Sequence, residues 1–169
     1  MLTGNKDVDR KILNELEDVD LVRACQVNKQ ADKICKDQVF WMNRLFQRFP
    51  EVPGDVLRKN KGNRTWSDYY IHDLRKINKN NSEHYLIYGS INGRMDHILI
   101  ALSLGANVHG ENDDALRWAS RNGHTETVKL LLDRGADIHA RVDEALRWAS
   151  YNGHTETVKL LLDRGAIIT

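Results

Sequence analysis

Residues 113–136 read DDALRWASRNGHTETVKLLLDRGA, and residues 143–166 read DEALRWASYNGHTETVKLLLDRGA. The two strings agree at 22 of 24 positions across an offset of 30 residues. A degenerate third copy precedes them, because Asn92-Gly93 and Gly105-Ala106 fall in the same register. Self-similarity at a fixed period of this length marks a stack of supersecondary units. The repeats are assigned to residues 83–112, 113–142 and 143–169.

Each unit has a physical reading. Ala115, Leu116 and Ala119 give a short helix with a small-residue face, which lets a neighbouring unit approach closely. Asn122-Gly123 breaks the chain, since both residues tolerate a left-handed backbone. His124 or Thr125 then opens a second helix, Glu126 complements its positive end, and Val128, Leu131 and Leu132 form an apolar stripe. Arg134 sits in the last turn, Gly135 supplies the C-terminal cap, and residues 137–140 turn tightly into the next unit. One such helix pair cannot bury its own apolar face, so the copies must stack.

The run from Asn122 to Ala136 closely resembles the second half of an ankyrin repeat. The resemblance implies an all-α fold, a short helical solenoid that binds proteins on its concave side. Two features depart from the family pattern. Its Thr-Pro-Leu-His opening is replaced by Ala115-Leu116-Arg117-Trp118 and Ala145-Leu146-Arg147-Trp148, and the period is 30 rather than about 33. The missing residues are expected to come from the hairpin loop, around residues 140–144. Because terminal repeats normally carry a polar outer face, the ending Ile167-Ile168-Thr169 leads to an expectation of partly wet apolar surface on Val158, Leu161 and Leu162. Weak self-association through that uncapped repeat, or a truncated array, would follow.

Residues 1–48 form a different helical module. Val8, Ile12, Leu13 and Leu16 share one face of a first helix. Asp18 or Asp20 can cap a second helix carrying Leu21, Val22 and Cys25, and Asn28 a third with Ala31, Ile34 and Cys35 inward. Trp41, Leu45 and Phe46 fill a last helix before Phe49-Pro50. The order Ile12-Leu13-x-x-Leu16, Asp20-Leu21, Val27-Asn28-Lys29, Asp37-x-x-Phe40-Trp41 and Leu45 resembles an F-box. The Leu-Pro opening of that family is absent, and Gly4 to Val8 stands in its place. The resemblance implies an interface for a Skp-family adaptor of cullin–RING ubiquitin ligases, with Ile12, Leu13, Leu16, Leu21 and Trp41 contacting it or packing behind it.

Residues 49–82 read as a structured helical connector. Pro53-Gly54 and Lys61-Gly62-Asn63 are turns, and Thr65 can cap a helix whose face holds Trp66, Tyr70, Leu74 and Ile77. That helix is expected to pack on the F-box-like helices or on the first repeat. Arg58, Lys59, Lys61 and Arg64 make a basic cluster, read as a solvated turn or as a contact for an acidic partner.

Charge and composition narrow the function. Residues 1–82 hold 16 Lys/Arg against 12 Asp/Glu and residues 83–169 hold 9 against 12, so the halves carry +4 and −3. Neither makes the dense basic face that nucleic acid requires. No apolar run approaches the roughly 20 residues of a membrane span, and the opening residues lack a signal peptide's apolar core. Cys25 and Cys35, the two cysteines, make no disulfide framework, and a reducing compartment is expected.

Seven histidines raise the question of metal or catalysis. His124 and His154 recur at the repeat period where the ankyrin pattern implies structural hydrogen bonding, and His109 and His139 recur in the turn after the second helix. No two histidines have the i, i+4 spacing of a helical zinc site. In Gly89-Ser90-Ile91-Asn92-Gly93 the serine is misplaced for a nucleophile elbow. No metal, cofactor or catalytic group is therefore expected.

The substitutions between near-identical repeats are more informative. Arg121 becomes Tyr151 and Asp114 becomes Glu144, through neutral drift or through target recognition. Resemblance places the first pair on the concave side, and Arg and Tyr are favoured at binding hot spots. Arg117, Arg121, Arg147 and Tyr151 are the candidate target-binding residues. Trp118 and Trp148 are expected to pack between units, with an exposed anchor as the alternative.

An F-box-like segment joined to ankyrin repeats resembles the ankyrin proteins of large DNA viruses, which implies the cytoplasm or nucleus of an infected eukaryotic cell. The function expected is non-enzymatic: a protein-interaction adaptor carrying a target to a ubiquitin ligase. A plain binding or masking module, with the N-terminal helices as a structural cap, is the rival. Neither nucleic acid nor membrane is an expected partner.

Overall fold

The computed structural model describes residues 2–167, with the backbone alone at 18 and 19. Within them the architecture is all helical, without a strand, and it divides into two compact units, residues 1–76 and 77–169. No helix is long and apolar enough to cross a membrane.

The first unit holds α1 (Lys6–Glu15), α2 (Asp18–Val27), α3 (Lys29–Cys35), α4 (Gln38–Arg48), α5 (Gly54–Lys61) and the short α6 (Trp66–Asp68). Caps set several boundaries. Asn5 Oδ1 accepts from the Asp7 and Val8 N–H groups, Asn28 Oδ1 from those of Gln30 and Ala31, and Asp37 Oδ1 from that of Val39. The second cap departs from expectation: α2 begins at Asp18 itself, with Glu17 in the capping position and no side-chain bond. The buried line of α1 is Asp9 and Leu13, so the apolar face is rotated and Val8 is exposed.

Leu13, Leu21, Ile34, Trp41 and Leu45 are buried in the first unit. Arg44 is buried with them. Its guanidinium donates to the carbonyls of Asn14 (2.8 Å) and Leu16 (2.6 Å), orphan acceptors at the end of α1, and so clips α4 to α1. Cys25 and Cys35 are joined in a disulfide between α2 and α3. The expectation of a reducing compartment rested on their making no framework, and it loses that footing.

The connector contains a helix the sequence reading missed: Pro53-Gly54 opens α5 instead of closing a turn. Thr65 Oγ1 accepts from the Asp68 N–H as a cap (3.1 Å). The following helix widens into a π-helical turn at Tyr69–Leu74, where the Arg75 N–H reaches back five residues to the Tyr70 carbonyl. It packs on α4, with Trp41 and Tyr70 ring centroids 5.6 Å apart and Arg48 donating to the Tyr70 hydroxyl at 2.9 Å. In the basic cluster, Arg64 pairs with Asp73 (2.6 Å) and Lys61 lies over the Trp66 ring.

The second unit is the repeat stack. Its helix pairs are α7 (Ser82–Asn92) with α8 (Met95–Ser103), α9 (Gly110–Arg121) with α10 (Thr125–Asp133), and α11 (Ala140–Tyr151) with α12 (Thr155–Asp163). Leu86, Leu116 and Leu146 are buried at one repeat position, and Ala101, Leu131 and Leu161 at another, giving a continuous core. Burying each leucine contributes roughly 2 kcal/mol. Leu161 is fully covered, Val158 half-buried and Leu162 exposed; Ile168 and Thr169, in which the expectation of an uncapped end was partly placed, lie outside the described residues.

The 30-residue period has a local structural basis. Where a longer repeat would project a hairpin, Glu111–Asp113 and Arg141–Asp143 each form a left-handed turn, with φ between +50° and +59°. Three consecutive non-glycine residues in that region are unfavourable by about 1–2 kcal/mol each. Polar anchoring offsets the strain: Asp113 Oδ1 accepts from the Asp137 N–H (2.8 Å) and His109 Nδ1 (3.1 Å), and Asp143 Oδ1 from the Ile167 N–H (3.0 Å) and His139 Nδ1 (3.0 Å). The recurrent turn histidines thus position a buried carboxylate that closes the second and third repeats, while in the first the exposed Glu83 accepts from the equivalent N–H, that of Asn107.

Candidate functional site

The first helices of the three repeats, α7, α9 and α11, line up in register, so residues 30 apart occupy equivalent places on one face. The outermost place holds Ile91, Arg121 and Tyr151, and the place one turn earlier holds Tyr88, Trp118 and Trp148. Positions three apart on a helix are surface neighbours, so each repeat offers one aromatic ring beside one variable residue.

The rings and cations interlock. The Arg121 guanidinium lies 5.2 Å from the Trp118 ring centroid and 4.4 Å from that of Trp148. Trp148 meets Tyr151 edge to face, with centroids 6.0 Å apart. Both tryptophans are half-buried, and the expected packing between units is made through Arg121, which lies against the rings of both repeats. The Trp148 indole N–H donates to Glu144 Oε1 at 3.1 Å.

The four candidate target-binding residues separate into two kinds. Arg117 is largely covered and bridges two carboxylates, Asp114 at 2.6 Å and Glu144 at 3.2 Å. Arg121, Arg147 and Tyr151 are exposed, Tyr151 to 83%. Together with Glu144 and Trp148 these three line a groove of about 590 Å³. Arg117 and Arg147 occupy one repeat position, yet Arg117 has an acidic neighbour on each side and Arg147 does not. The sequence signal for the groove was the Arg-to-Tyr exchange between otherwise identical repeats; the tryptophan–arginine clamp went unread.

The candidate adaptor residues separate as well. Leu13, Leu21 and Trp41 are buried within the first unit, and the Trp41 indole N–H donates to the Cys35 carbonyl at 2.6 Å. Ile12 on α1 and Leu16 just past its end are half-buried and reach solvent. Val8, Val27 and Val39 are the larger apolar side chains that this unit exposes among the described residues.

Other candidate chemistry is consumed in the fold. Ser90 is buried, its hydroxyl donating to the Leu86 carbonyl at 2.8 Å. His124 Nε2 donates to the Ile91 carbonyl and His154 Nε2 to that of Arg121, both at 2.9 Å, so each joins its repeat to the one before. Among the described residues no three His, Cys, Asp or Glu side chains converge as metal ligands would.

No curated protein matches the chain. The family of ankyrin repeats, three copies, matches it over residues 62–142 and again over 84–169. With the helix pairs, the inter-repeat histidines and the glycine-ended turns described above, the chain belongs to the ankyrin-repeat family.

Proposed function

We propose that this protein recruits a target protein to a cullin–RING ubiquitin ligase. Ankyrin repeats are protein–protein interaction modules. The observation that carries the recruiting half is the groove on α9 and α11, which sets Arg121, Arg147 and Tyr151 beside the Trp148 indole; Arg, Tyr and Trp are the residues most enriched at binding hot spots. The ligase half is supported by the F-box-like order of α1–α4 and by the apolar Ile12 and Leu16 reaching solvent on and just after α1, with Leu13, Leu21 and Trp41 buried. The mechanism is proximity: tethering a target beside a ligase raises its local concentration without new chemistry. An infected eukaryotic host cell is the proposed setting.

A second reading has a specific observation in its favour. Where the F-box family carries Leu-Pro, the Thr3 and Gly4 N–H groups are tied to the buried Asp9 carboxylate, at 3.0 Å for Gly4. This suits N-terminal helices serving as a structural cap on a binding or masking module.

Co-purification of the intact chain with a Skp-family adaptor and cullin separates the two. The recruiting reading expects a stoichiometric complex that Ile12→Glu with Leu16→Glu abolishes while helical circular dichroism is kept. A folded chain that forms no complex would leave the masking module. Leu21→Asp is unsuitable here, since Leu21 is fully buried and its loss would report on folding.

A further inference from the structure

The charges on the α9–α11 face do not balance locally. Its two carboxylates are already engaged: Asp114 by Arg117, and Glu144 by Arg117 from one side and the Trp148 indole N–H from the other. Two cations are left. Arg121 makes ring contacts alone, and Arg147 has only a 3.5 Å contact to the Arg141 carbonyl. Neither has a carboxylate partner among the described residues. Both line the same groove, beside the exposed Tyr151 ring and the edge of Trp148.

We infer that the groove takes an acidic peptide segment of the partner protein, an inference that rests on the repeat stack being the target-binding surface. A carboxylate of the segment sits between Arg121 and Arg147, and an adjoining apolar side chain lies on Trp148 and Tyr151. Glu144 also lines the groove, and Arg117 is shared between it and Asp114, so three cations against two carboxylates leave this face with one unmatched positive charge. Ring contacts to Trp118 and Trp148 position the Arg121 guanidinium while leaving it open to an anion, to which it can make charge-assisted hydrogen bonds. The volume, about 590 Å³, suits a few side chains of one segment. Phosphate-rich polymers fit less well: two cations make a short electrostatic footprint, which matches a single carboxylate and not a long run of phosphates.

The repeats themselves supply substitutions that the fold tolerates. Tyr stands at the Arg121 position in the third repeat, and Ile87 stands at the Arg147 position in the first. Arg121→Tyr and Arg147→Ile therefore remove each cation by copying a neighbour. The test uses the intact chain with three fluorescent libraries of short peptides, alike in randomised apolar positions but carrying fixed Asp/Glu, Asn/Gln or Lys pairs, and with an oligothymidylate. The acidic library is expected to bind about 10-fold or more tighter than the amide library, to weaken with salt, and to lose about 5-fold or more with either variant. Equal binding of the amide or lysine library, with loss on Trp148→Ala, would overturn the acidic chemistry and keep the groove as a protein site. Tighter binding of the oligothymidylate would make it a polyanion site and overturn the proposal. No binding by any probe would overturn the groove as a peptide site altogether.

Discussion

His154 Nε2 donates to the Arg121 carbonyl at 2.9 Å, and the same imidazole lies 2.5 Å from where a Cβ on Gly123 would stand. His124 has the same relation to Gly93, with a 2.8 Å approach, whereas a Cβ on Gly153 would meet nothing within 4 Å. Gly123 thus serves two needs, a positive φ of +70° and room for the next repeat's histidine, and Gly153 only the first, at +75°.

Paired alanine substitutions separate these needs. Gly153→Ala should destabilise the stack by about 1 kcal/mol, the strain of a left-handed alanine. Gly123→Ala should cost about 1–3 kcal/mol more, because the histidine must move and its inter-repeat bond is lost. Denaturant unfolding followed by circular dichroism checks the difference; equal losses would show that the histidine contact contributes nothing.

The left-handed turns predict a stabilising exchange. Val142 is an exposed β-branched residue at φ +59°, and the equivalent residue of the preceding repeat is Asn112, a type that tolerates this conformation. Val142→Asn should raise stability by roughly 1 kcal/mol, and Asn112→Val should lower it by a similar amount. A fall in melting temperature for Val142→Asn would contradict the turn geometry.

Arg44 makes a prediction for the first unit. Replacing it with leucine keeps much of its volume but strands the carbonyls of Asn14 and Leu16 at the end of α1. Destabilisation of about 2–4 kcal/mol is expected in urea unfolding. A loss below about 0.5 kcal/mol would mean that water satisfies those carbonyls equally well.

Acid should loosen the first unit. Burial alone would raise the Asp9 carboxyl, but hydrogen bonds from the Thr3 and Gly4 N–H groups, the Thr3 hydroxyl and Gln30 outweigh it and hold its pKa below the ordinary 3.8. At Asp37 burial is likewise outweighed, by the Val39 N–H, Arg10 and Lys6. A folded-state pKa below the unfolded value gives stability that is present above about pH 4 and lost as pH falls through the folded pKa. Asp9→Asn should be less stable at neutral pH and lose less on acidification; an unchanged acid profile would remove Asp9 from the account.

The repeat helices were legible because near-identical strings repeat both the apolar positions and the Asn-Gly and Gly-Ala stops. The helices α1–α4 were legible because apolar positions recur at helical spacing; of their caps only Asn28 was read, since α2 starts behind Glu17 without a side-chain bond and the caps Asn5 and Asp37 went unread. The other features that escaped have no local signature. Pro53-Gly54 reads as a turn, yet proline is at home beside a helix start, and Phe46 covers Gly54. Val142 carries no sign of a left-handed backbone, and Arg44 finds its acceptors about 30 residues away. At the groove, composition alone could not divide Arg117 from Arg147; only the neighbouring repeat shows whose charge is already met.

Site-specific photo-crosslinking in eukaryotic cells tests the central claim, that the face of α9 and α11 is the partner surface. A photoreactive residue replacing Tyr151 is compared with one replacing Lys159, exposed on α12. The account predicts a discrete protein adduct from position 151 that Arg121→Tyr with Arg147→Ile removes, and no such adduct from position 159. Equal adducts at both positions, adducts from 159 alone, or none at 151 would contradict it.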